Sequence, residues 1–288
     1  MRKEIILLTR GIDEESFPFQ LFQKAKQFGV WNPSDIDFSQ DKEDWKKLTP
    51  EQRETMRLRI SKFVTGEESV TSDILPMIMT VARKGWLEEE MYLTTFLFEE
   101  AKHVDLFRIL LKEIGETEDL SKYHDANHKN FFYEMLPTKM NRILDDPSPQ
   151  NMAEGAAFYN IFLEGIQAET AYYTLFETLQ KVNMFPGLIK GVTHLKHDES
   201  RHISFGTYII QRLMSKDPEL YDFVEHKVRN EWWPIAEELY IAQAMGNHSV
   251  DAFGLKVEDM LNFAKKQMNV RLEILKRGQL YRPSKIAY

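Results

Sequence analysis

A chain of 288 residues with 43% apolar content is long enough to bury one large core or two small ones. Its 45 acidic residues outnumber 37 basic ones, and the net charge of −8 excludes a general nucleic-acid or anionic-membrane binder. Cysteine is absent, which excludes disulfides, thiolate zinc sites, iron–sulfur clusters and cysteine nucleophiles together. Any metal must be held by nitrogen and oxygen.

The opening MRKEIILLTRG holds an apolar run only from Ile5 to Leu8, too short for a signal-peptide core. No uncharged apolar stretch reaches the ~20 residues of a spanning helix. The expectation is a cytoplasmic protein without a membrane span. Residues 1–48 read as irregular, broken by Gly11, Pro18, Gly29 and Pro33, but their aromatics from Phe17 to Trp45 predict a segment packed on the body. Thr49-Pro50-Glu51-Gln52 predicts a helix start, with a hydroxyl cap, a first-turn proline and a capping-box glutamine. Met56, Ile60, Phe63, Val64, Glu67, Val70 and Ile74 then share one face until Pro76 interrupts. Further helices are predicted over about 88–114 (ending at Gly115), 127–144, 149–182 and 186–214. Two more are predicted over about 218–246 and 250–277, with Gly246 and Gly278 as stops. No segment alternates like a strand. The prediction is an all-α bundle forming a single domain over 1–288.

Two histidines have a glutamate three residues upstream on a helix, Glu100-Ala-Lys-His103 and Glu199-Ser-Arg-His202, so each pair offers a carboxylate and an imidazole to one point. Both pairs lie on apolar faces: Glu100 shares its face with Leu93, Phe96, Leu97 and Phe107, and Glu199 with Val192, Leu195, Ile203 and Ile210. Burying an unpaired carboxylate costs several kcal/mol at least, so these acids need cations. Each pair also has a glutamate upstream on the preceding long helix. Glu67 precedes Glu100 by 33 positions among Ile60, Phe63, Val64 and Val70, whereas its neighbour Glu68 sits among Ser61, Thr65 and Ser72. Glu164 precedes Glu199 by 35 positions; Glu169 also has apolar neighbours, and periodicity does not choose between them. The chain reads as Glu, then Glu-x-x-His, twice over, the pattern of four-helix bundles that hold two iron or manganese ions. Four carboxylates and two imidazoles favour hard to borderline cations such as iron, manganese or cobalt. Asp125-x-x-His128 mimics the motif among polar residues and is expected to be solvated. His194, His197, His226 and His248 are expected to be surface or structural residues. Asp198 is either an exposed acid or a partner that orients a ligand histidine.

At these residues the chain resembles the ribonucleotide-reductase small-subunit branch of the ferritin-like superfamily over about residues 50–280, including Asp198-Glu199-x-x-His202. The resemblance implies a ferritin-like four-helix core with additional helices and a dinuclear metal site, in which Trp31, Asp198 and His103 form a hydrogen-bonded chain beside the metals. The radical-bearing tyrosine of the usual subunits falls at Phe107, and the chain runs only a little beyond its last helix, with Tyr281 and Tyr288 near the end. It looks more like the ligand-binding oxidase subgroup, which assembles a manganese–iron site, holds a long-chain fatty acid and forms a valine–tyrosine ether beside the metals.

That likeness implies Val70 and Tyr159 as the cross-link pair, through Glu67-x-x-Val70 and Tyr159-x4-Glu164. It implies manganese at Glu67, Glu100 and His103, iron at Glu164, Glu199 and His202, and Glu100 between the two, with di-iron as the alternative loading. It further implies a fatty-acid tunnel with room left by Gly66, Gly165 and Ala168, unless these small residues only let helices approach. Tyr172 becomes a hydrogen-bonding neighbour of the site or a buried structural tyrosine. The expected partners are O2, a fatty acid or similar lipid-like ligand, an unidentified reductant and a second copy in a homodimer. The expected activity is that of an O2-dependent two-electron oxidase; the alternatives are a reductase subunit without its radical tyrosine and a ferritin-like metal store.

Overall fold

The computed structural model describes residues 5–243 and 250–278. Gly246, His248, Tyr281 and Tyr288 lie outside the described residues. Among the described residues ten helices longer than two turns follow in chain order: α1 (Phe17–Phe28), α2 (Ser39–Lys47), α3 (Pro50–Asp73), α4 (Leu75–Arg83), α5 (Leu87–Ile114), α6 (126–145), α7 (149–182), α8 (Pro186–Met214), α9 (220–243) and α10 (Val257–Gly278). The described residues contain no strand, only an isolated bridge between Val250 and Lys256. No helix among them is long and apolar enough to cross a membrane.

The core pairs α3 with α5 and α7 with α8, and α5 meets α8. Local chemistry accounts for the ends. Thr49 accepts from the Gln52 backbone at 3.2 Å while the Gln52 side chain accepts from Thr49 N–H at 3.1 Å, closing the expected capping box of α3. Pro76 ends α3 but stands near the start of α4, where no backbone donor is needed. Asn183 ends α7 in the left-handed region, φ 51°.

Within residues 5–48, where the sequence reads as irregular, the structure holds the helices α1 and α2, which corrects that expectation. Pro18 falls inside the first turn of α1, where its missing N–H is harmless, and Gly29 follows the last residue. Helix α2 is polar at every position but Trp45, so periodicity hides it. It positions α8. Asp41 accepts from the backbone N–H of Gly187 and Leu188 at 2.8 and 2.7 Å, and Asp44 accepts from Phe185 N–H at 2.9 Å. These bonds satisfy the exposed donors at the α8 start and hold Phe185 at a left-handed φ of 58°.

The apolar interior falls into two clusters. On each central helix the inward glutamates lie between them: Phe63 belongs to one and Val70 to the other, with Phe107 opposite Phe96, Tyr172 opposite Tyr159, and Leu195 opposite Phe205. A polar layer therefore crosses the bundle at mid-height.

Candidate metal centre

Glu67 comes from α3, Glu100 and His103 from α5, Glu164 from α7, and Glu199 and His202 from α8. None is more than 6% exposed. They form two overlapping groups, Glu67–Glu100–His103–Glu199 and Glu100–Glu164–Glu199–His202. Within each, one nitrogen or oxygen per residue lies within 4.8 Å of the others. Glu199 joins Glu100 in both groups, so sharing is wider than the resemblance implied.

Both imidazoles face the centre through Nδ1. That atom of His103 lies 3.3, 3.4 and 3.4 Å from Glu67, Glu100 and Glu199. In His202 it lies 3.0, 3.6 and 3.8 Å from Glu100, Glu199 and Glu164. Yet His202 Nδ1, both Glu100 oxygens, Glu164 Oε1 and Glu199 Oε2 are buried without a hydrogen bond. Buried polar atoms are normally hydrogen-bonded. Atoms this close without hydrogen-bond geometry aim at shared points between them, as ligands about cations do.

The outward Nε2 atoms are held crosswise. His103 Nε2 lies 3.3 Å from Asp198 Oδ2, the acid preceding Glu199, and His202 Nε2 lies 2.9 Å from Glu99 Oε2, the acid preceding Glu100. Carboxylates behind a ligating imidazole fix its orientation and raise its basicity. Asp198 is fully buried and not an exposed acid. Arg201 bonds both outer acids, and Lys102 bonds Asp198 at 3.0 Å and the Gly29 carbonyl at 2.6 Å. Glu99, Lys102 and Arg201 escaped the sequence reading, although the halves Glu99-Glu100-Ala101-Lys102-His103 and Asp198-Glu199-Ser200-Arg201-His202 align acid to acid and base to base. Six buried carboxylates against two buried bases leave four positive charges wanting, the charge of two divalent ions.

Charge regulation follows from this shortfall. Burial lifts the Glu67 carboxyl to about 8 against the pull of His103, with repulsion from Glu100 and Glu199 adding to it. Burial and the Glu199 charge likewise push Glu164 up. Burial opposes charge on His103 and His202, but the surrounding carboxylates outweigh it and hold both imidazoles well above their ordinary value. Glu100 is also buried, yet His103 and His202 hold it down to about 2. In the metal-free protein the raised groups favour their protonated forms, and a cation entering the cluster must displace those protons. Metal loading is expected to release protons at pH 7, and metal affinity to rise as pH climbs from 6 towards 8. Calorimetry in buffers of different ionisation enthalpy checks both. Affinity independent of pH would contradict this charge arrangement.

Glu164 is the α7 member; Glu169 instead meets Lys196 at 3.2 Å. Residues 157–168 of α7 wind as a wider π-helix, a feature frequent at functional sites. Asn160 donates to Glu164 Oε2 at 2.9 Å, and Gly206 lets it approach: a Cβ there would stand 2.1 Å from the Asn160 Cβ.

A cavity partly open to solvent adjoins the cluster; Glu67, Glu164 and Glu199 line it with Val70, Gly66 and Ala168. Gly165 does not line it. The Arg271 side chain lies over Gly165 and donates to its carbonyl at 3.3 Å, so this glycine admits α10 instead of a ligand. Tyr159 is fully buried and donates to the Val70 carbonyl at 2.9 Å. Tyr172 lines the cavity with its hydroxyl unpartnered, stacked on Phe63 at 5.6 Å. Trp31 Nε1 donates to Asp198 Oδ2 at 2.8 Å, completing a chain to His103, and His194 stacks on its outer side at 5.3 Å. Phe107 is fully buried against Phe63. His128 is not solvated as expected; it is 3% exposed and lines the cavity, because Asp125 turns to cap its helix and pair with Lys62 at 3.1 Å.

The family model of the ribonucleotide reductase small chain matches residues 19–286. R2-like ligand-binding oxidase with an aerobically reconstituted Mn/Fe cofactor is 38% identical, with a TM-score of 0.88 covering 95% of this chain and 98% of that one. A variant of that oxidase with an anaerobically reconstituted Mn/Fe cofactor is 38% identical at a TM-score of 0.90, over the same shares of the two chains. Another variant, holding a non-activated Mn/Mn cofactor after aerobic reconstitution with Mn and Fe, is 36% identical at 0.88, again over 95% and 98%. With a double Glu…Glu-x-x-His cluster across four helices and a family match over nearly its whole length, this chain belongs to the ribonucleotide reductase small-chain family.

Proposed function

We propose that the protein is an O2-dependent oxidase whose two ions, manganese and iron, are held by the six clustered residues, with a long-chain fatty acid in the adjoining cavity. The carrying observation is the pair of overlapping four-residue groups, whose unpartnered buried atoms fit a divalent cation each. Glu67 and His103 would hold one ion, Glu164 and His202 the other, with Glu100 and Glu199 within reach of both. Hard oxygen donors with one imidazole per ion suit Mn and Fe. Bound, such a pair supplies the reducing power that activates O2 for two-electron chemistry.

The protein's own residues set what is oxidised. The Tyr159 hydroxyl is held against the Val70 backbone, and burial pushes its ionisation well above the ordinary value, so the phenol keeps its proton until coupling. Phe96 stacks on His202 at 3.6 Å and meets Tyr159 edge-on, closing this side to water. The proposed step breaks one C–H bond of the Val70 side chain at Cβ and the O–H bond of Tyr159 and forms one C–O bond. Two electrons and two protons leave, and O2 accepts them.

The cavity supports a lipid-like ligand because three cluster carboxylates line it on the metal side, while Phe131, Leu163, Leu239 and Met260 contribute apolar wall elsewhere, among polar residues that include Lys62, His128 and Tyr240. A carboxylate head on the metal side would complete the coordination of the ions. Mass spectrometry of a digest, after aerobic loading with both metals, is expected to show the Val70 and Tyr159 peptides joined and lighter by two hydrogens. Tyr159→Phe is expected to abolish the joined species. Separate peptides from fully loaded wild-type protein would contradict the cross-link.

A further inference from the structure

Among the described residues, thirteen buried side-chain polar atoms lack a hydrogen-bond partner. Five belong to the six-residue cluster, where cations answer them. Four others line the cavity beside it: His128 Nε2, Gln167 Nε2, and the hydroxyls of Tyr172 and Tyr240, the last lying beside Thr170, whose own hydroxyl donates to the Ile166 carbonyl at 2.7 Å. An unsubstituted alkyl chain offers these groups nothing. Filling the cavity with hydrocarbon would leave each at its full desolvation cost.

The four are not equivalent. Tyr172 lies within the field of Glu199, Glu67 and Glu100, on the metal side, where an anionic head would accept its O–H. His128 and Tyr240, each 3% exposed, come from α6 and α9. These helices meet away from the cluster, where Asn127 of α6 donates to Glu238 of α9 at 3.0 Å. Burial, reinforced by the nearby Lys62 and His124, pushes the His128 imidazole down to about 3, so at neutral pH it is uncharged. The cations of this wall, Lys62 and Arg59, are already paired with Asp125 and Asp251, so an anion meets chiefly a neutral imidazole and a phenol and gains little there. A hydroxyl group, which donates and accepts at once, satisfies either tautomer of His128 and the Tyr240 hydroxyl.

We propose that the cavity is built for an oxygenated long-chain acid, one bearing a hydroxyl part-way along its chain that His128 and Tyr240 receive, instead of a plain alkanoate. This rests on the fatty-acid reading of the cavity given above and narrows the class of ligand. It makes the outer wall a specificity device, since a polar site rejects the analogue that leaves its groups unpaired.

The test is displacement of a fluorescent long-chain acid from Mn/Fe-loaded protein, kept anaerobic so that no ligand is oxidised. Hexadecanoic acid is compared with a set of hydroxyhexadecanoic acids covering successive chain positions. At least one isomer is expected to bind roughly threefold to tenfold tighter than hexadecanoic acid, the range a net hydrogen bond supplies. That ratio is expected to fall towards one in Tyr240→Phe and in His128→Phe. Tyr240→Phe, the milder exchange, carries the test alone if the histidine variant fails to fold. Equal affinities across the set, or a preference that survives the substitutions, overturn the inference and leave the fatty-acid site standing. Failure of the fluorescent acid itself to bind overturns both.

Discussion

Glu100→Ala is expected to strip both ions, whereas Glu67→Ala or Glu164→Ala should mainly deplete one. The asymmetry follows from membership: Glu100 offers an oxygen to each four-residue group, while Glu67 and Glu164 serve one group apiece. Losing a carboxylate that merely orients a ligand already costs about 10–100-fold in metal affinity. Removing Glu100 should exceed that at both positions, and Asp198→Asn or Glu99→Gln should fall within it at the site of the histidine each supports. Elemental analysis of each variant, purified after loading with both metals and exhaustive dialysis, gives the counts. Retention of one full ion by Glu100→Ala would show that the carboxylate is not shared.

Arg201→Met is expected to destabilise the metal-free protein by about 3–5 kcal/mol, the penalty for leaving a buried charge without its partner. Arg201 is 7% exposed and bonds both outer acids, Glu99 and Asp198. Asp198 keeps Lys102 and Trp31 when the guanidinium goes, but Glu99 keeps only His202. The loss should therefore concentrate on Glu99, and Glu99→Gln added to Arg201→Met should recover part of it, a coupling that a double-mutant cycle by denaturant unfolding reads directly. A single-variant effect below about 1 kcal/mol, the scale of an exposed ion pair, would contradict the buried network.

Much of this centre was legible before the fold. A carboxylate on an apolar helical face is costly unless a cation meets it, so the neighbours of Glu67, Glu100 and Glu199 marked them as inward, and those of Glu68 marked it as outward. On α7 the neighbours do not mark a direction. Every residue from Asn151 to Ile166 is buried, so the helix has no polar face against which to read direction. Only the folded chain separates Glu164, which joins the cluster, from Glu169, which pairs with Lys196. Glu99 was missed for a different reason. Its burial depends on Arg201 and His202 reaching it from another helix, a contact that single-helix periodicity does not register. Alignment of the two half-motifs against one another would have exposed it. The helices within residues 1–48 were hidden by short length, a first-turn proline and a polar composition, and their part in capping α8 is carried by two aspartates whose partners lie more than a hundred residues away.

The central claim for this protein is that two cations lie between α3, α5, α7 and α8. Anomalous diffraction recorded at the manganese and iron edges, from crystals of protein loaded with both metals, addresses it most directly. Two peaks are predicted, one within the Glu67–His103 group and one within the Glu164–His202 group, each also in contact with Glu100 and Glu199. Absence of peaks between these helices, or a Glu67 or Glu164 side chain directed away from the ion beside it, would contradict it.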